Sequence, residues 1–377
     1  MTWMNPNWKF PHSFDEIEFT FPRLVRELKG CEQDPDYHSE GNVWEHTKLV
    51  IDNMKEDVEW GKLEETEREV LIASAFFHDV AKPQTTRIEN GIITSPKHSV
   101  YGARMVRNIL WNPDSPHYYA APWDVREYIS NLTLLHMLPF WFLDKENPTR
   151  SIGASSQVIN NNHLSILSRA DMMGRIKKDK KDHIESLERL ELFKEFCEEN
   201  DCLNHPMKFQ TDKARFRYFF EQKGDPRLDY YEPVRGAVII MVGLQGAGKD
   251  YMISKRYSHL PVVGYDSIRD EIGLKFGESE SLIQQELKKR IHEHMRNKED
   301  FVFNATNLIK DIRSTWIRRF RKYNYRINIH YIENSLDETL KNNKNRDRVV
   351  PEGIILAKFA RMDVPTLLEC HELEKTV

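Results

Sequence analysis

A chain of 377 residues is long enough for two domains, each with its own hydrophobic core. Its 40% hydrophobic and 30% charged content is typical of a globular chain, and no apolar stretch approaches the roughly 20 residues that a membrane helix needs. A net charge of −4 excludes a uniformly basic coat for nucleic acid, although 55 Lys and Arg residues are enough for a local basic groove.

The N-terminus and the cysteines predict a cytoplasmic protein. The first residues, MTWMNPNWKF, lack the basic start, apolar core and small-residue cleavage site of a secretion signal. The cysteines form no CxxC pair, so we expect free thiols at Cys31, Cys197, Cys202 and Cys370.

Residues 42–200 have an almost entirely helical pattern. A capping box over Thr66–Glu69 predicts a helix that continues through Phe77 to Ala81. Further helices are predicted near Asp124, at about 156–175 and at 180–200. Residues 204–235 read as a connector that is helical at 211–221.

Histidines and aspartates recur along this helical region as candidate metal ligands. They are His46, His78, Asp79, His98, His136 and Asp171. Imidazole and carboxylate together suit Mn, Fe, Co, Ni or Zn better than calcium. Ionisable groups on core-facing helix sides need partners, and a metal satisfies several at once. The alternative for each histidine alone is an ordinary core or surface residue.

From Gly236 onward strands and helices alternate, which predicts a parallel α/β sheet. The uninterrupted apolar run at 237–242 is typical of a strand buried on both faces. Further strands are predicted at 301–303 and 326–332, and helices at 281–298 and 309–321.

A glycine-rich loop follows the first of these strands. Backbone N–H groups of such a loop surround phosphate oxygens, and its lysine reaches the β- and γ-phosphates. The predicted nucleotide-binding residues are Gly243, Gly246, Gly248, Lys249 and Asp250. Asp250 stands where Ser or Thr normally binds magnesium, so it either binds the ion, directly or through water, or weakens nucleotide affinity by its charge.

Two later motifs supply candidate catalytic residues. Asp266 follows a predicted strand and is a candidate base for a hydroxyl, while Arg269 lies one helical turn further on and suits an acceptor phosphate. The alternative is a capping aspartate with a solvated arginine. The basic segment before Pro351 contains Arg346 and Arg348, which predicts either a mobile lid that contacts the transferring phosphoryl group or a solvated helix face.

This order of motifs resembles the polynucleotide 5′-kinase branch of the P-loop phosphotransferases. The resemblance implies that Lys249, Arg346 and Arg348 contact ATP, with Mg²⁺, that Asp266 is the general base toward a 5′-hydroxyl, and that Arg269 binds the acceptor phosphate. Asn304 stands where that family can carry an aspartate, which leaves the partner of Arg269 open.

The helical half resembles the HD phosphohydrolase superfamily. The resemblance rests on the ordered histidines and aspartates and on the segments FFHDVAK at 76–82, KHSVYGA at 97–103 and RADMMGR at 169–175. It implies that one metal is held by His46, His78, Asp79 and Asp171 and that His98 and His136 bind a second. Lys82 and Arg175 are candidates for neutralising substrate phosphate, with ordinary surface charges as the alternative.

As a whole the chain resembles the bacterial HD-domain polynucleotide kinase–phosphatase family. We therefore expect an all-α HD-type domain over 1–203, a connector over 204–235, and an α/β P-loop kinase domain with a parallel sheet over 236–377. The implied cofactors are ATP (or another NTP), Mg²⁺ and one or two divalent transition metals, and the implied substrates are RNA or DNA ends. A ligase acting downstream is a further partner that this reading suggests, and no membrane is involved.

Two other functions stay open at this point. A small-metabolite or nucleoside kinase could be fused to an HD nucleotidase. Alternatively, the departure at Asp250 could mark a nucleotide sensor that regulates the hydrolase. The sequence leaves the choice between RNA and DNA, the native metal and the oligomeric state undecided.

Overall fold

The computed structural model describes residues 7–274, 278–346 and 348–377. The chain divides into two compact units, Met1–Lys208 and Phe209–Val377. The domain bounds expected from the sequence stay a prediction. Among the described helices, none is both long and apolar enough to cross a membrane.

The described part of the first unit, residues 7–208, consists of helices and their connections together with one small hairpin. Its helices are α1 Phe14–Thr20, α2 Pro22–Lys29, α3 Val43–Glu56, α4 Glu65–Phe77, α5 Lys82–Thr85, α6 His98–Trp111, α7 Trp123–Leu135, α8 Leu138–Trp141, α9 Pro148–Ser156, α10 Asn161–Met173 and α11 Lys180–Glu199, with a short 3₁₀ turn at Trp60–Lys62. The hairpin pairs strands β1 Arg87–Glu89 and β2 Ile92–Thr94 in antiparallel fashion. The predicted all-α character of this half is thereby confirmed.

Packing between long helices brings the candidate ligands of the first unit together. Helix α3 packs on α10, and α4 packs on both α7 and α3. Helix α4 is buried along most of its length, and its phenylalanines Phe76 and Phe77 are fully inaccessible to solvent. Burial of each such side chain stabilises the fold by about 2–3 kcal/mol, so the relative position of these helices is well determined.

The start and end of α4 differ from the prediction. The predicted capping box at Thr66–Glu69 is wrong, because Glu64 and Glu67 form the box, and the buried Glu69 carboxylate instead accepts the N–H of Phe10 at 2.9 Å. The helix ends at Phe77, before Ala81. Immediately beyond it, Nδ1 of His78 donates to the carbonyl of Ala75 at 2.7 Å, a side-chain contact that closes a helix C-terminus.

The second unit contains a five-stranded parallel sheet flanked by helices, as predicted. Its strands are β3 Gly236–Val242, β4 Val262–Gly264, β5 Phe301–Asn304, β6 Tyr325–Ile332 and β7 Glu372–Thr376, in the order β4-β5-β3-β6-β7. The helices are α12 Asp212–Phe219, α13 Lys249–Arg256, α14 Tyr265–Ile272, α15 Glu280–Asn297, α16 Lys310–Arg321, α17 Leu336–Lys344 and α18 Glu352–Phe359.

The central strand β3 determines where ligands can bind in the second unit. Val238, Ile240, Met241 and Val242 are buried, as the apolar run predicts for a strand covered on both faces. In the parallel register, Met241 of β3 lies beside Asn304 of β5, which in turn lies beside Gly264 of β4. The carboxyl ends of the three strands therefore meet at one edge, where open α/β sheets bind their ligands.

Candidate metal centre and nucleotide site

In the first unit four helices and the turn after α4 bring the predicted ligands together. His46 comes from α3 and Asp171 from α10, while His78 and Asp79 lie in the turn that follows α4. His98 is the first residue of α6, and His136 directly follows α7. Each of these side chains is buried except His98, which is partly exposed. Such a concentration of buried ionisable groups requires compensation within the site.

One group of ligand atoms surrounds His46. Its Nε2 lies 3.1 Å from Oδ1 of Asp171 and 3.9 Å from Oδ2 of Asp79. Nε2 of His78 lies 3.2 Å from the same Asp79 oxygen and 3.9 Å from Oδ1 of Asp171. The atoms of His46, His78 and Asp79 all lie within 4.8 Å of one another, close enough to share one ion.

Asp79 also belongs to a second group of ligand atoms. Its other oxygen, Oδ1, lies 3.4 Å from Nε2 of His98, and that nitrogen is 3.2 Å from Nε2 of His136. The ligand atoms of Asp79, His98 and His136 again lie within 4.8 Å of one another. Asp79 therefore presents one carboxylate oxygen to each group, and this arrangement could bridge two ions.

All the histidines of both groups present Nε2 to the centre because Nδ1 is occupied elsewhere. Nδ1 of His78, His98 and His136 donates to the carbonyls of Ala75, Ser95 and Thr133 at 2.7, 2.8 and 2.8 Å. Nδ1 of His46 lies 3.0 Å from Oε1 of Glu40 and 3.4 Å from the carbonyl of Gly174. A proton fixed on Nδ1 leaves Nε2 as the lone-pair nitrogen, which is the form that binds metals.

The pKa shifts of four of these residues favour metal ligation. Burial opposes ionisation of Asp79, but the charges of Lys82 and His78 outweigh it and hold its pKa well below the usual range. Burial likewise opposes ionisation of Asp171, and the nearby Arg175 charge keeps its pKa well below the ordinary value. Burial lowers the pKa of His98 and lowers that of His136 to about 3. The site thus combines ionised carboxylates with neutral imidazoles at His98 and His136. Burial opposes protonation of His46, but its hydrogen bonds with Asp171 and Glu40 outweigh this effect and raise its pKa.

In the second unit the glycine-rich loop encloses the start of α13. Gly246 and Gly248 have φ angles of 84° and 97°, which favour glycine, and a Cβ on Gly246 would lie 2.3 Å from the carbonyl of Thr339. Nζ of Lys249 donates to the carbonyls of Gly243 and Leu244 at 3.0 and 2.7 Å. Burial lowers the pKa of Lys249 to about 8. The lysine is therefore held within the loop, where phosphate oxygens would stabilise its charge.

Asp266 and Arg269 lie on the same side of α14 and contact each other. Nη1 of Arg269 donates to Oδ1 of Asp266 at 3.2 Å, and its Nη2 lies 2.7 Å from each carboxylate oxygen of Glu280. The Asp266 side chain is 61% exposed, whereas that of Arg269 is 6% exposed. The Asp266 carboxylate is thus accessible to a substrate hydroxyl, while the buried guanidinium of Arg269 is fixed by Glu280.

The two predicted lid arginines have different partners. Nη2 of Arg346 lies 3.4 Å from Oδ2 of Asp266, whereas Arg348 forms an ion pair with Asp270. Both arginines line a cavity of about 1450 Å³ that is also lined by the glycine-rich loop, Asp266 and Arg269. Pockets for one small ligand usually measure about 300–1000 Å³, so this cavity has room for a nucleotide and an acceptor.

Comparison with known protein families agrees with both arrangements. Residues 43–171 match the HD domain, and residues 238–365 match a family described as an AAA domain. The chain carries an HD domain followed by a P-loop kinase-like domain. The crystal structure of a gluconokinase from Sinorhizobium meliloti 1021 is similar over 35% of this chain and 78% of its own, at 12% identity. Its TM-score of 0.25 means that this likeness carries no argument about fold or substrate.

The ligand set of the HD domain fits a divalent transition metal. Nitrogen and carboxylate oxygen are the donors that such metals share, and they converge in a buried site. Nε2 of His78 is buried and makes no hydrogen bond with any part of the chain that the structure describes. A buried imidazole nitrogen that makes no hydrogen bond is costly, and a bound cation would satisfy it.

Lys82 and Arg175, the predicted phosphate-binding residues of the HD domain, contact the carboxylates of the candidate metal ligands. Nζ of Lys82 is 2.7 Å from Oδ2 of Asp79 and donates to Oε1 of Gln33 at 2.6 Å. Arg175 donates to both oxygens of Asp171, at 3.0 and 2.6 Å. Neither is an ordinary surface charge, because Lys82 is 8% exposed and the side chain of Arg175 is 14% exposed.

Sequence reasoning missed Glu40 and His38 in the HD domain. The Oε1 atom of Glu40 lies 2.7 Å from Nδ1 of His38 and 3.0 Å from Nδ1 of His46. Burial raises the pKa of Glu40, but the hydrogen bonds from both histidines outweigh it and lower that pKa. Burial lowers the pKa of His38 to about 4. The only available signal was the closeness of two histidines and an acid in the segment 38–46.

Glu280 is the residue that sequence reasoning missed in the P-loop domain. It is the first residue of α15 and supplies the carboxylate partner of Arg269 that the sequence left open at Asn304. Asn304 instead donates its Nδ2 to Oδ1 of Asp250 at 2.7 Å. No local pattern marks Glu280, because one acidic residue at a helix start is common.

Proposed function

We propose that this chain heals the ends of broken nucleic acids. The P-loop domain would transfer the γ-phosphate of ATP to a 5′-hydroxyl end, and the HD domain would remove a 2′,3′-cyclic, 2′- or 3′-phosphate from RNA or DNA. The observation that carries this proposal is the contact between Asp266 and Arg269 in the cavity of the glycine-rich loop. It pairs a base for a hydroxyl with a cation for a phosphate, and a 5′-hydroxyl strand end carries both groups close together.

The kinase step would use the residues that line this cavity. The carboxylate of Asp266 accepts the proton of the 5′-hydroxyl as the new O–P bond forms and the bond between the β- and γ-phosphates of ATP breaks, releasing ADP. Lys249 places positive charge at the loop, and Arg269 orients the acceptor through its phosphate. Arg346 already reaches Asp266 at 3.4 Å and would contact the transferred group when ATP is bound.

In the HD domain, His46, His78, Asp79 and Asp171 would hold one divalent ion, and Asp79, His98 and His136 would hold a second. Such ions supply a water of lowered pKa and positive charge for a phosphoryl centre. Lys82 and Arg175 add positive charge beside the same carboxylates. In the hydrolysis, the water oxygen bonds to phosphorus, the bond from phosphorus to a ribose or deoxyribose oxygen breaks, and the released sugar oxygen takes up a proton to become a hydroxyl.

Label transfer tests the kinase proposal. ATP labelled in its γ-phosphate is incubated with a 5′-hydroxyl oligonucleotide and the wild-type chain or its Asp266→Asn variant. We expect labelling by wild type and a loss of at least about 100-fold in the variant, because a general base contributes about that much. Absence of labelling by the wild-type chain would remove the kinase claim.

Competition between acceptors separates end healing from a metabolite or nucleoside kinase. Transfer of the labelled phosphate to the oligonucleotide is measured in the presence of excess nucleoside. In the reverse experiment, transfer to the nucleoside is measured in the presence of excess oligonucleotide. Preference for the oligonucleotide supports end healing, because only a strand end offers Arg269 a phosphate next to the hydroxyl. Preference for the nucleoside supports the alternative.

An oligonucleotide with a 3′-phosphate or 2′,3′-cyclic phosphate tests the hydrolase in the presence of Mn²⁺, Ni²⁺ or Co²⁺. The His78→Ala variant should lose phosphate release but keep 5′-labelling, and Asp266→Asn should do the opposite. If Lys249→Ala changes only the hydrolase rate, and no variant or wild-type protein transfers phosphate, the nucleotide regulates hydrolysis and the end-healing proposal is wrong.

A further inference from the structure

The glycine-rich loop and the end of strand β5 carry polar residues that differ from those usual in P-loop proteins. P-loop proteins generally hold Mg²⁺ with a Ser or Thr hydroxyl from the loop and an aspartate from a strand end. In this chain the loop position is Asp250, and the end of the strand next to β3 is Asn304. This pair of positions therefore still contains one carboxylate, but it belongs to the loop instead of the strand end.

Asp250 and Asn304 contact each other. Nδ2 of Asn304 donates to Oδ1 of Asp250 at 2.7 Å, which holds the carboxylate at the carboxyl edge of the sheet. Oδ1 of Asn304 is buried and makes no hydrogen bond within residues 7–274, 278–346 and 348–377. Both residues line the same cavity as Lys249 and Asp266. An ionised oxygen and an unsatisfied amide oxygen thus lie together beside the phosphate loop.

The pairing also explains why the strand end is not acidic here. A second carboxylate at position 304 would lie within hydrogen-bond distance of Asp250, and the like charges would repel in the absence of a cation. An amide at the same position is a neutral donor that fixes the carboxylate and still offers an oxygen. Oxygen ligands of this kind, usually one or two carboxylates with waters, are those that Mg²⁺ accepts.

We propose that Asp250 supplies the carboxylate that binds the Mg²⁺ of the nucleotide and that Asn304 positions it, in the reverse of the usual arrangement. This inference rests on the proposed kinase function, since it concerns the same nucleotide site. The competing explanation is that Asp250 only stabilises the N-terminus of α13, as any acidic residue in a first turn does.

Binding of the fluorescent, non-hydrolysable nucleotide mant-AMPPNP at increasing Mg²⁺ tests the proposal without turnover. We expect Asp250→Ser to raise the Mg²⁺ concentration of half-maximal effect by about tenfold or more. Binding in EDTA should be unchanged or tighter in this variant, because a negative charge near the phosphates is gone. Asp337→Ser removes an exposed acid from the first turn of α17 outside the cavity and should change neither value.

The double variant Asp250→Ser/Asn304→Asp rebuilds the usual arrangement. It should return the Mg²⁺ dependence to within about threefold of wild type, a non-additive result expected of two residues that share one role. An unchanged Mg²⁺ dependence in Asp250→Ser, or no recovery in the double variant, would overturn the proposal. If Asp250→Ser does not fold, as judged by circular dichroism, Asp250→Asn takes its place with the same expected direction. Failure of the wild-type chain to bind mant-AMPPNP at any Mg²⁺ concentration would instead overturn the kinase function itself, and this inference with it.

Discussion

Nη2 of Arg269 lies 2.7 Å from both carboxylate oxygens of Glu280, a residue at the start of a different helix. Arg269 is 5% exposed, so its charge depends on partners within the protein. Asp266 is one partner, but its side chain is mostly exposed and is proposed to act on the substrate. Glu280 therefore leaves Asp266 available while it fixes the guanidinium.

Replacing Glu280 with Gln should weaken use of the acceptor more than use of ATP. Loss of a charge-assisted pair costs about 1.5 kcal/mol, which corresponds to about a tenfold lower kcat/KM for a 5′-hydroxyl oligonucleotide. Steady-state kinetics with each substrate varied in turn measure the effect. Glu293→Gln, on an exposed turn of the same helix, is the control and should behave as wild type. Equal changes in the KM of ATP and of the oligonucleotide would argue against a positioning role.

Replacing Glu40 with Gln should weaken metal binding in the HD domain. Glu40 accepts from Nδ1 of His46 and so directs its Nε2 toward Asp171. Loss of such a partner typically lowers metal affinity by about 10–100-fold. Calorimetric titration of metal-stripped protein with Mn²⁺ measures it. Glu56→Gln, at the exposed end of the helix α3 that carries His46, is the control, and an equal affinity of both variants would contradict the role of Glu40.

Replacing Gly246 with Ala should abolish nucleotide binding and destabilise the P-loop domain. The new Cβ would lie 2.3 Å from the carbonyl of Thr339, and a φ of 84° is unfavourable for alanine. Gly273 also has positive φ, at 75°, but no atom of the described residues lies within 4 Å of its Cβ position. Gly273→Ala should therefore cost only about 1 kcal/mol of backbone strain, whereas Gly246→Ala should cost clearly more. Thermal unfolding and mant-AMPPNP binding compare the two variants.

His371 should make the stability of the P-loop domain pH-dependent. Burial lowers its pKa from the ordinary 6.5 to about 3, and its Nδ1 accepts the N–H of Ile327 at 3.0 Å. The unfolded chain therefore binds the proton first as the pH falls. The stabilisation is complete above pH 6.5 and is lost progressively between pH 6.5 and 3.

The slope of this loss is at most about 1.4 kcal/mol per pH unit for one group. Hydrogen exchange of the segment around Ile327, corrected for the intrinsic pH dependence of exchange, measures it without assuming that both domains unfold together. In His371→Asn, whose side-chain oxygen can still accept the Ile327 N–H, the slope between pH 6.5 and 5 should fall by about that amount. A slope equal to that of wild type would show that other groups dominate.

The sequence by itself determined the two fold classes and most of the candidate site. An apolar strand followed by a glycine-rich loop, and histidines and aspartates in a fixed order along helices, are local patterns whose chemistry depends on residue type and short spacing. For helix α4 the bounds differed from the prediction: Glu64 and Glu67 form its capping box while Glu69 binds Phe10, and the helix ends before His78, whose ring contacts the carbonyl of Ala75.

Only the tertiary structure decided which side chain pairs with each carboxylate of the candidate sites. The pairs Glu280 with Arg269, Glu40 with His46 and Asn304 with Asp250 join residues on different elements. Each pair depends on how helices and strands pack, and packing is a sum of many small contacts that no short motif encodes. A lone glutamate at a helix start looks the same in the sequence whether it faces solvent or a buried arginine. Its role depends on which residues the packing of the fold places beside it.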